Sequence, residues 1–187
     1  MQNTEWPIIP VALPADSRVA GAYPRPFLAD AYTLRLPAGA IGDPEQLARF
    51  MFSHQAPWVG RLLRLRDAVV SVFGLKTTSQ LLKAGDSRIG FFKIYERRAH
   101  EIILGEDDKH LDFRLSVLLR EVDGVPQVVV STVVQCHNLL GRSYIRLIAP
   151  FHRMVVRSDL RCAAQAGWPQ QADVASPTGI PPRHAAT

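Results

Sequence analysis

The chain has 187 residues, of which 47% are apolar and 21% charged, with a net charge of +5. This length suits one domain that can bury well over half of its unfolded surface without disulfides or metal, and the composition excludes a disordered chain. No stretch approaches the ~18 apolar residues of a membrane helix, and the arginines are spread rather than gathered in a block. Neither an integral membrane protein nor a nucleic-acid-binding tail is therefore expected.

Residues 1–29 hold Pro7, Pro10, Pro14, Pro24 and Pro26. Proline fixes φ and removes backbone donors, so this stretch is predicted to be an extended lead-in without regular structure. It has no basic start followed by an apolar run, which points to a cytoplasmic protein with no secretory signal. Residues 30–36 alternate Tyr32, Leu34 and Leu36 against Thr33 and Arg35, the period of a half-buried strand. Asp43-Pro44 is a helix start, an N-cap acid followed by proline at the first helical position. A helix is predicted from there to His54. A second should follow Pro57, from Trp58 to Phe73, with Trp58, Leu62, Leu65, Val69 and Val72 as its core stripe and Gly74 as its stop.

Strands dominate from there. They are expected at 89–96, 101–105, 110–121 and 127–137, the last two joined by an Asp123-Gly124 hairpin turn. The return strand is rich in β-branched residues: Val128, Val129, Val130, Thr132, Val133 and Val134. A long helix should then run from Leu139 to about Ala166. Its periodic stripe reads Leu140, Tyr144, Leu147, Phe151, Met154, Val155 and Arg161 with Leu160, and a kink or break is expected at Pro150. Beyond Gly167 the tail is proline-rich and polar and is predicted to be disordered. The domain is thus expected at 30–166, between the lead-in and a tail at 167–187.

Consecutive strands with short turns predict an antiparallel sheet, and segregated helices predict α+β rather than βαβ. Only the final helix is long enough to cover the apolar sheet face. The predicted fold is a helix-grip: a curved antiparallel sheet wrapped around a long C-terminal helix, with two shorter helices after the first strand.

The residues that could carry chemistry are few. Asp108, His110, Asp112 and Arg114 occupy alternate positions and would share one strand face, with Leu111, Phe113, Leu115 and Val117 on the other. Equal distances from the hairpin turn put His137 and Asn138 beside His110. His110, Asp112 and His137 are therefore the candidate catalytic residues, acids beside an imidazole whose pKa they could tune. The plainer alternative is a solvated sheet face whose charges pair among themselves, with Asn138 capping the last helix. Arg142, Arg146, Arg153, Arg157 and Arg161 give that helix a basic side, either simply solvated or suited to an anionic membrane or an acidic partner. Cys136 and Cys162 form no CxxC pair and no zinc spacing, so reduced thiols are expected and no metal or other cofactor is predicted.

Three stretches carry a resemblance. They are Pro57-Trp58-Val59 through Leu63-Arg64-Leu65-Arg66-Asp67, then Leu104-Gly105-Glu106-Asp107-Asp108-Lys109-His110-Leu111-Asp112-Phe113-Arg114, and His137-Asn138-Leu139-Leu140-Gly141-Arg142 through Ile148-Ala149-Pro150-Phe151-His152. Together they resemble an uncharacterised bacterial family known only as a domain of unknown function. That family is grouped with the START-like and birch-allergen-like (SRPBCC) proteins. The resemblance spans about Asp30 to Ala164. It supplies no catalytic residues. It implies a cavity between sheet and helix that holds a small apolar or amphipathic ligand, and Trp58, Phe92, Tyr95, Tyr144 and Phe151 are the aromatics expected to line it. A cyclase- or hydratase-like enzyme using the His110, Asp112 and His137 cluster is the alternative. Some relatives carry a nucleotide-binding oxidoreductase domain, but this chain has no Gly-x-Gly-x-x-Gly of its own. Whether the chain pairs with a second copy is left open by the sequence.

Overall fold

The computed structural model describes residues 7–62, 64 and 87–171. The fold is α+β, a seven-stranded antiparallel sheet with two short helices and one long C-terminal helix. Two strands precede the helices: β1 (Ile9–Val11) and β2 (Leu28–Arg35). Helix α1 is Pro44–Ser53, and residues 57–62 begin a second, α2. Then come β3 (Arg88–Ile89), β4 (Phe92–Arg97), β5 (Glu101–Asp107), β6 (Leu111–Val122) and β7 (Val125–Cys136). Helix α3, Leu139–Ala166, closes the domain. The strand order is β1-β2-β7-β6-β5-β4-β3, so β2 docks beside the last strand and the rest form a meander.

Local chemistry explains the boundaries. The Asp43 carboxylate accepts from the Glu45 and Gln46 backbone N–H groups and starts α1. The β6–β7 hairpin turns at Asp123 and Gly124, with φ of 51° and 74°. That is the left-handed pair a primed two-residue turn demands, and the turn registers twelve-residue strands from Val122↔Val125 to Leu111↔Cys136. Asn138 caps α3 by accepting from the Gly141 N–H at 3.0 Å. Gly141 is needed for a second reason: a Cβ there would collide with the His110 carbonyl oxygen, so only glycine lets the helix start this close to β6.

The main core lies between the sheet and the helices. Leu47, Ala48 and Met51 of α1 and Val156, Leu160 and Ala163 of α3 pack on Leu34, Ile102, Leu104, Leu115, Val117, Val128 and Val130. Each fully buried leucine here stabilises the fold by about 1.5–3 kcal/mol.

Several expectations need correction. The stretch before β2 is not structureless. It pairs β1 with β2 and makes a 3-10 turn at Arg18–Gly21, and it covers the face of the sheet opposite α3. Leu13, Val19 and Tyr23 pack there against Ile103, Val133 and Tyr95. Ala31, Tyr32, Thr33 and Leu34 are in consequence all buried, and β2 is not the half-buried strand its alternation suggested. The strand expected at 89–96 is a tight hairpin, β3 turning at Gly90-Phe91 into β4, because Ile89 pairs with Phe92. Helix α3 runs through Pro150 without a break in assignment. Its buried stripe is Gly141, Ile145, Val156, Asp159, Leu160 and Ala163; Leu147 and Met154 face outward at 64% and 57% exposure, and Phe151, though half-exposed, also borders the cavity. Gly141 and Ala163 are in the buried stripe, and at Gly141 the helix comes close to the His110 carbonyl of the adjoining turn. Residues 167–171 are not loose either. Trp168 is buried in the main core, and the Ile41 N–H donates to the Pro169 carbonyl at 2.8 Å. The stripe positions Leu65, Val69 and Val72, the Gly74 stop and the tail from 172 onward lie outside the described residues.

Candidate functional site

Helix α3 does not lie flush along the sheet. Between it, the strands β2, β6 and β7 and the start of α2 there is a cavity of about 270 Å³. Strand alternation brings Leu111, Phe113 and Leu115 of β6 and Thr132 and Val134 of β7 to its floor. Ile145, Ile148 and Val156 of α3 form the roof, and Val59 and Leu62 close one side. An aromatic wall stands at the far end of the sheet. Phe92 meets Phe52 at 5.1 Å, Phe91 at 4.1 Å and Phe113 edge-on at 5.9 Å between ring centroids.

A few polar groups enter this apolar space. Asp159 points in from the buried stripe of α3 and is only 3% exposed. One carboxylate oxygen accepts from the Gln55 side-chain amide at 2.7 Å; the other is buried without a hydrogen-bond partner. Burial, opposed by the Gln55 hydrogen bond and by the nearby His152, pushes its pKa up to about 7. His152 lies two turns earlier on the same face, and its Nε2 is 3.2 Å from the Asp30 carboxylate. A carboxylate only accepts, so Nε2 carries the proton. Asp30 in turn sits opposite Thr132 across the β2–β7 ladder. Thr132 lines the cavity, and its hydroxyl is buried without a partner. A chain of neighbours thus runs from Thr132 through Asp30 to His152, whose charge reaches Asp159. No arginine or lysine is among the described lining residues.

The expected ligand-lining aromatics divide. Phe92, Tyr144 and Phe151 line the cavity. Trp58 does not; Val59, buried beside it, takes that place, since α2 presents the neighbouring position. Tyr95 lies on the opposite face of the sheet, because alternation along β4 turns it away from Phe92 and Ile94. There it stacks under the Arg114 guanidinium at 3.7 Å and donates to Asp107 at 2.8 Å. Burial raises its pKa, as it raises that of Tyr23 beside it to about 12.

The expected catalytic cluster does assemble, away from the cavity. His137 Nε2 is 3.0 Å from the Asp112 carboxylate, and Asn138 donates to His110 Nδ1 at 2.9 Å. None of His110, Asp112 and His137 lines the cavity. Asp112 and Arg114 share the face that turns from α3, whereas Asp108 reaches the cavity. The four alternate residues do not share a face because β6 begins only at Leu111, and 109–110 is a bend. Cys136 is buried on the α3 side, where burial pushes its thiol up, and both cysteines are free. No group of His, Cys, Asp and Glu suited to a metal ion occurs among the described residues. Nor is any helix among them long and apolar enough to cross a membrane.

Sequence reasoning overlooked Asp159. Its signal was present: a carboxylate at i+3 from Val156 and i+7 from His152, inside what proved to be the buried stripe of α3.

A family model described as a protein of unknown function, DUF2867, matches residues 22–159. The chain belongs to this family. The match takes in β2 through most of α3, hence the cavity and Asp159, and begins eight residues before the span inferred from the motifs. No curated protein and no solved structure matches the chain.

Proposed function

We propose that this DUF2867 protein binds a small apolar or amphipathic molecule in the cavity between its sheet and α3. The observation that carries this reading is the cavity itself, about 270 Å³ and lined mainly by aliphatic and aromatic side chains. It exceeds the ~150 Å³ space that holds benzene and lies just under the range of drug-sized sites, so it suits a one- or two-ring molecule. The order of elements supports grouping the family with the START-like helix-grip proteins, in which a ligand occupies this space. A cyclase- or hydratase-like reading through His110, Asp112 and His137 draws no support from their position, since none of them lines the cavity. Native mass spectrometry of the purified protein, followed by organic extraction, tests the proposal. A reproducible small-molecule adduct is expected; a bare mass, with no stabilisation by any apolar probe, counts against it.

One observation favours a second reading. Leu147, Phe151 and Met154 are exposed on α3, and Arg146, Arg153 and Arg157 are exposed beside them. An apolar strip flanked by cations suits contact with an anionic bilayer. Sedimentation with anionic vesicles tests it: salt-sensitive binding is expected, and its absence ends this reading.

A further inference from the structure

Resting on the cavity reading, we infer that Asp159 and Thr132 form the polar end of the site and select an uncharged ligand bearing a hydroxyl or carbonyl on an apolar ring skeleton. Two residues that line the cavity each carry a buried polar atom without a partner, one carboxylate oxygen of Asp159 and the hydroxyl of Thr132. Buried polar atoms are ordinarily paired, and leaving one unpaired is costly. A ligand that brings a hydrogen-bonding group to this end satisfies both.

The charge of that group follows from what surrounds it. Among the described residues, the titratable side chains lining the cavity are Glu106, Asp108, Tyr144, His152 and Asp159, and none of the lining residues is arginine or lysine. Glu106 is held by Arg88 at 3.1 Å, outside the lining, and His152 is engaged by Asp30. Among these described groups a carboxylate or phosphate head would meet acids rather than an arginine or lysine. A cationic head would need Asp159 fully ionised in a place where burial favours its neutral form. A neutral hydroxyl suits either protonation state: it accepts from the protonated carboxyl and donates to the ionised one. Thr132, able to do both, supports the same group from the sheet side.

The remaining lining agrees. Phe52, Phe91, Phe92 and Phe113 gather at one wall, where ring faces and edges would hold an aromatic or alicyclic body. The head would then be directed at α3 and β7, the body at β4 and α1.

A single skeleton with four heads tests this. Naphthalene, 2-naphthol, 2-naphthoate and 2-naphthylmethylamine are titrated by calorimetry into the full chain and into the Asp159→Leu and Thr132→Val variants. The wild type is expected to bind 2-naphthol about tenfold more tightly than naphthalene, the worth of one or two hydrogen bonds. It should bind the naphthoate and the amine more weakly than 2-naphthol. Each substitution should reduce the naphthol advantage severalfold, and a thermal unfolding midpoint measured for each variant shows that it is folded. Tighter binding of the naphthoate or the amine overturns the inference. So does equal binding of naphthalene and 2-naphthol, or a naphthol advantage that survives both substitutions; in those cases the cavity reading stands. Failure of all four probes to bind overturns the cavity reading and this inference with it.

Discussion

The two faces of the sheet each bury a carboxylate, and they treat it in opposite ways. On the face covered by the lead-in, Glu101 is 2% exposed and accepts from the Ser17 and Ser116 hydroxyls, both at 2.6 Å. It also accepts from the Arg18 backbone N–H at 3.0 Å. On the face covered by α3, Asp159 is as deeply buried and has one hydrogen bond, from Gln55. Glu101 is a latch, since its donors come from the 3-10 turn and from β6 and tie the lead-in to the sheet. Among the described residues, Asp159 is tied to the rest of the fold by Gln55 alone, and its residue lines a cavity. Equal burial with unequal satisfaction separates a carboxylate that holds the fold from one available to a ligand.

The sharpest way to break this comparison is the pH dependence of stability. Asp159 is raised from 3.8 to about 7 by burial. Between those values the folded chain holds a proton that the unfolded chain has released, so this group makes stability fall as pH rises from about 4 to about 7. The span amounts to on the order of 4 kcal/mol. Asp159→Asn removes the titration and keeps an acceptor for Gln55. It should match the parent near pH 4 and exceed it by a few kcal/mol at pH 8, read as urea midpoints at both values. A variant that is less stable than the parent at pH 8 would make Asp159 a structural group like Glu101.

The opposite sign is expected at the latch. Glu101→Ala leaves two hydroxyls and a backbone N–H buried without their acceptor and should cost about 3 kcal/mol. Limited proteolysis should then cut first before Leu28, in the lead-in that Glu101 retains. Loss of less than about 1 kcal/mol, within the range of a surface change, would mean that the lead-in is held by apolar packing alone.

A finer contrast uses hydroxyls. Ser116 is buried and bonded to Glu101; Thr132 is buried and unpartnered. Ser116→Ala should cost about 1 kcal/mol, whereas Thr132→Val, which keeps the shape and removes an unpaired hydroxyl, should be neutral or stabilising by up to about 1 kcal/mol. Thermal midpoints measured side by side decide this, and equal losses in both variants would remove the distinction between the faces.

Much of the framework was legible because its signals are local. Asp43-Pro44, Asp123-Gly124 and Asn138 each act within four residues of chain, and all three sit where their chemistry puts them. The cover on the second face was not legible. β1 is three residues long with a proline in its centre, and its partners are Ala31, Tyr32 and Thr33. Nothing local announces a contact that distant. The phase of α3 failed for a related reason. Its sequence carries two apolar stripes, one of large residues at 147, 151 and 154, and one of mixed size at 145, 156, 160 and 163. Periodicity favours the larger; packing distance favours the smaller, and with it Asp159 turned inward. The candidate site was therefore hidden by a rotation of one helix, while the cluster at His110 stood out because its residues are close in sequence.

That cluster gives the smallest expected effect and the last test of the comparison. The Asp112–His137 pair is close at 3.0 Å, yet both side chains keep substantial contact with solvent. Water screens such a pair and the side chains lose rotamer freedom in making it, so exposed ion pairs contribute ~0.2–1 kcal/mol. His137→Gln should change stability by less than about 0.5 kcal/mol, and raised salt should shrink even that. Its effect on probe binding should be nil, because neither partner reaches the cavity. A loss of naphthol affinity in His137→Gln, at unchanged stability, would tie the two faces of β6 together. The division between a fold-holding face and a ligand-holding face would then have to be redrawn around the turn at 108–110, where Asp108 enters the cavity and its backbone N–H donates to Asp112.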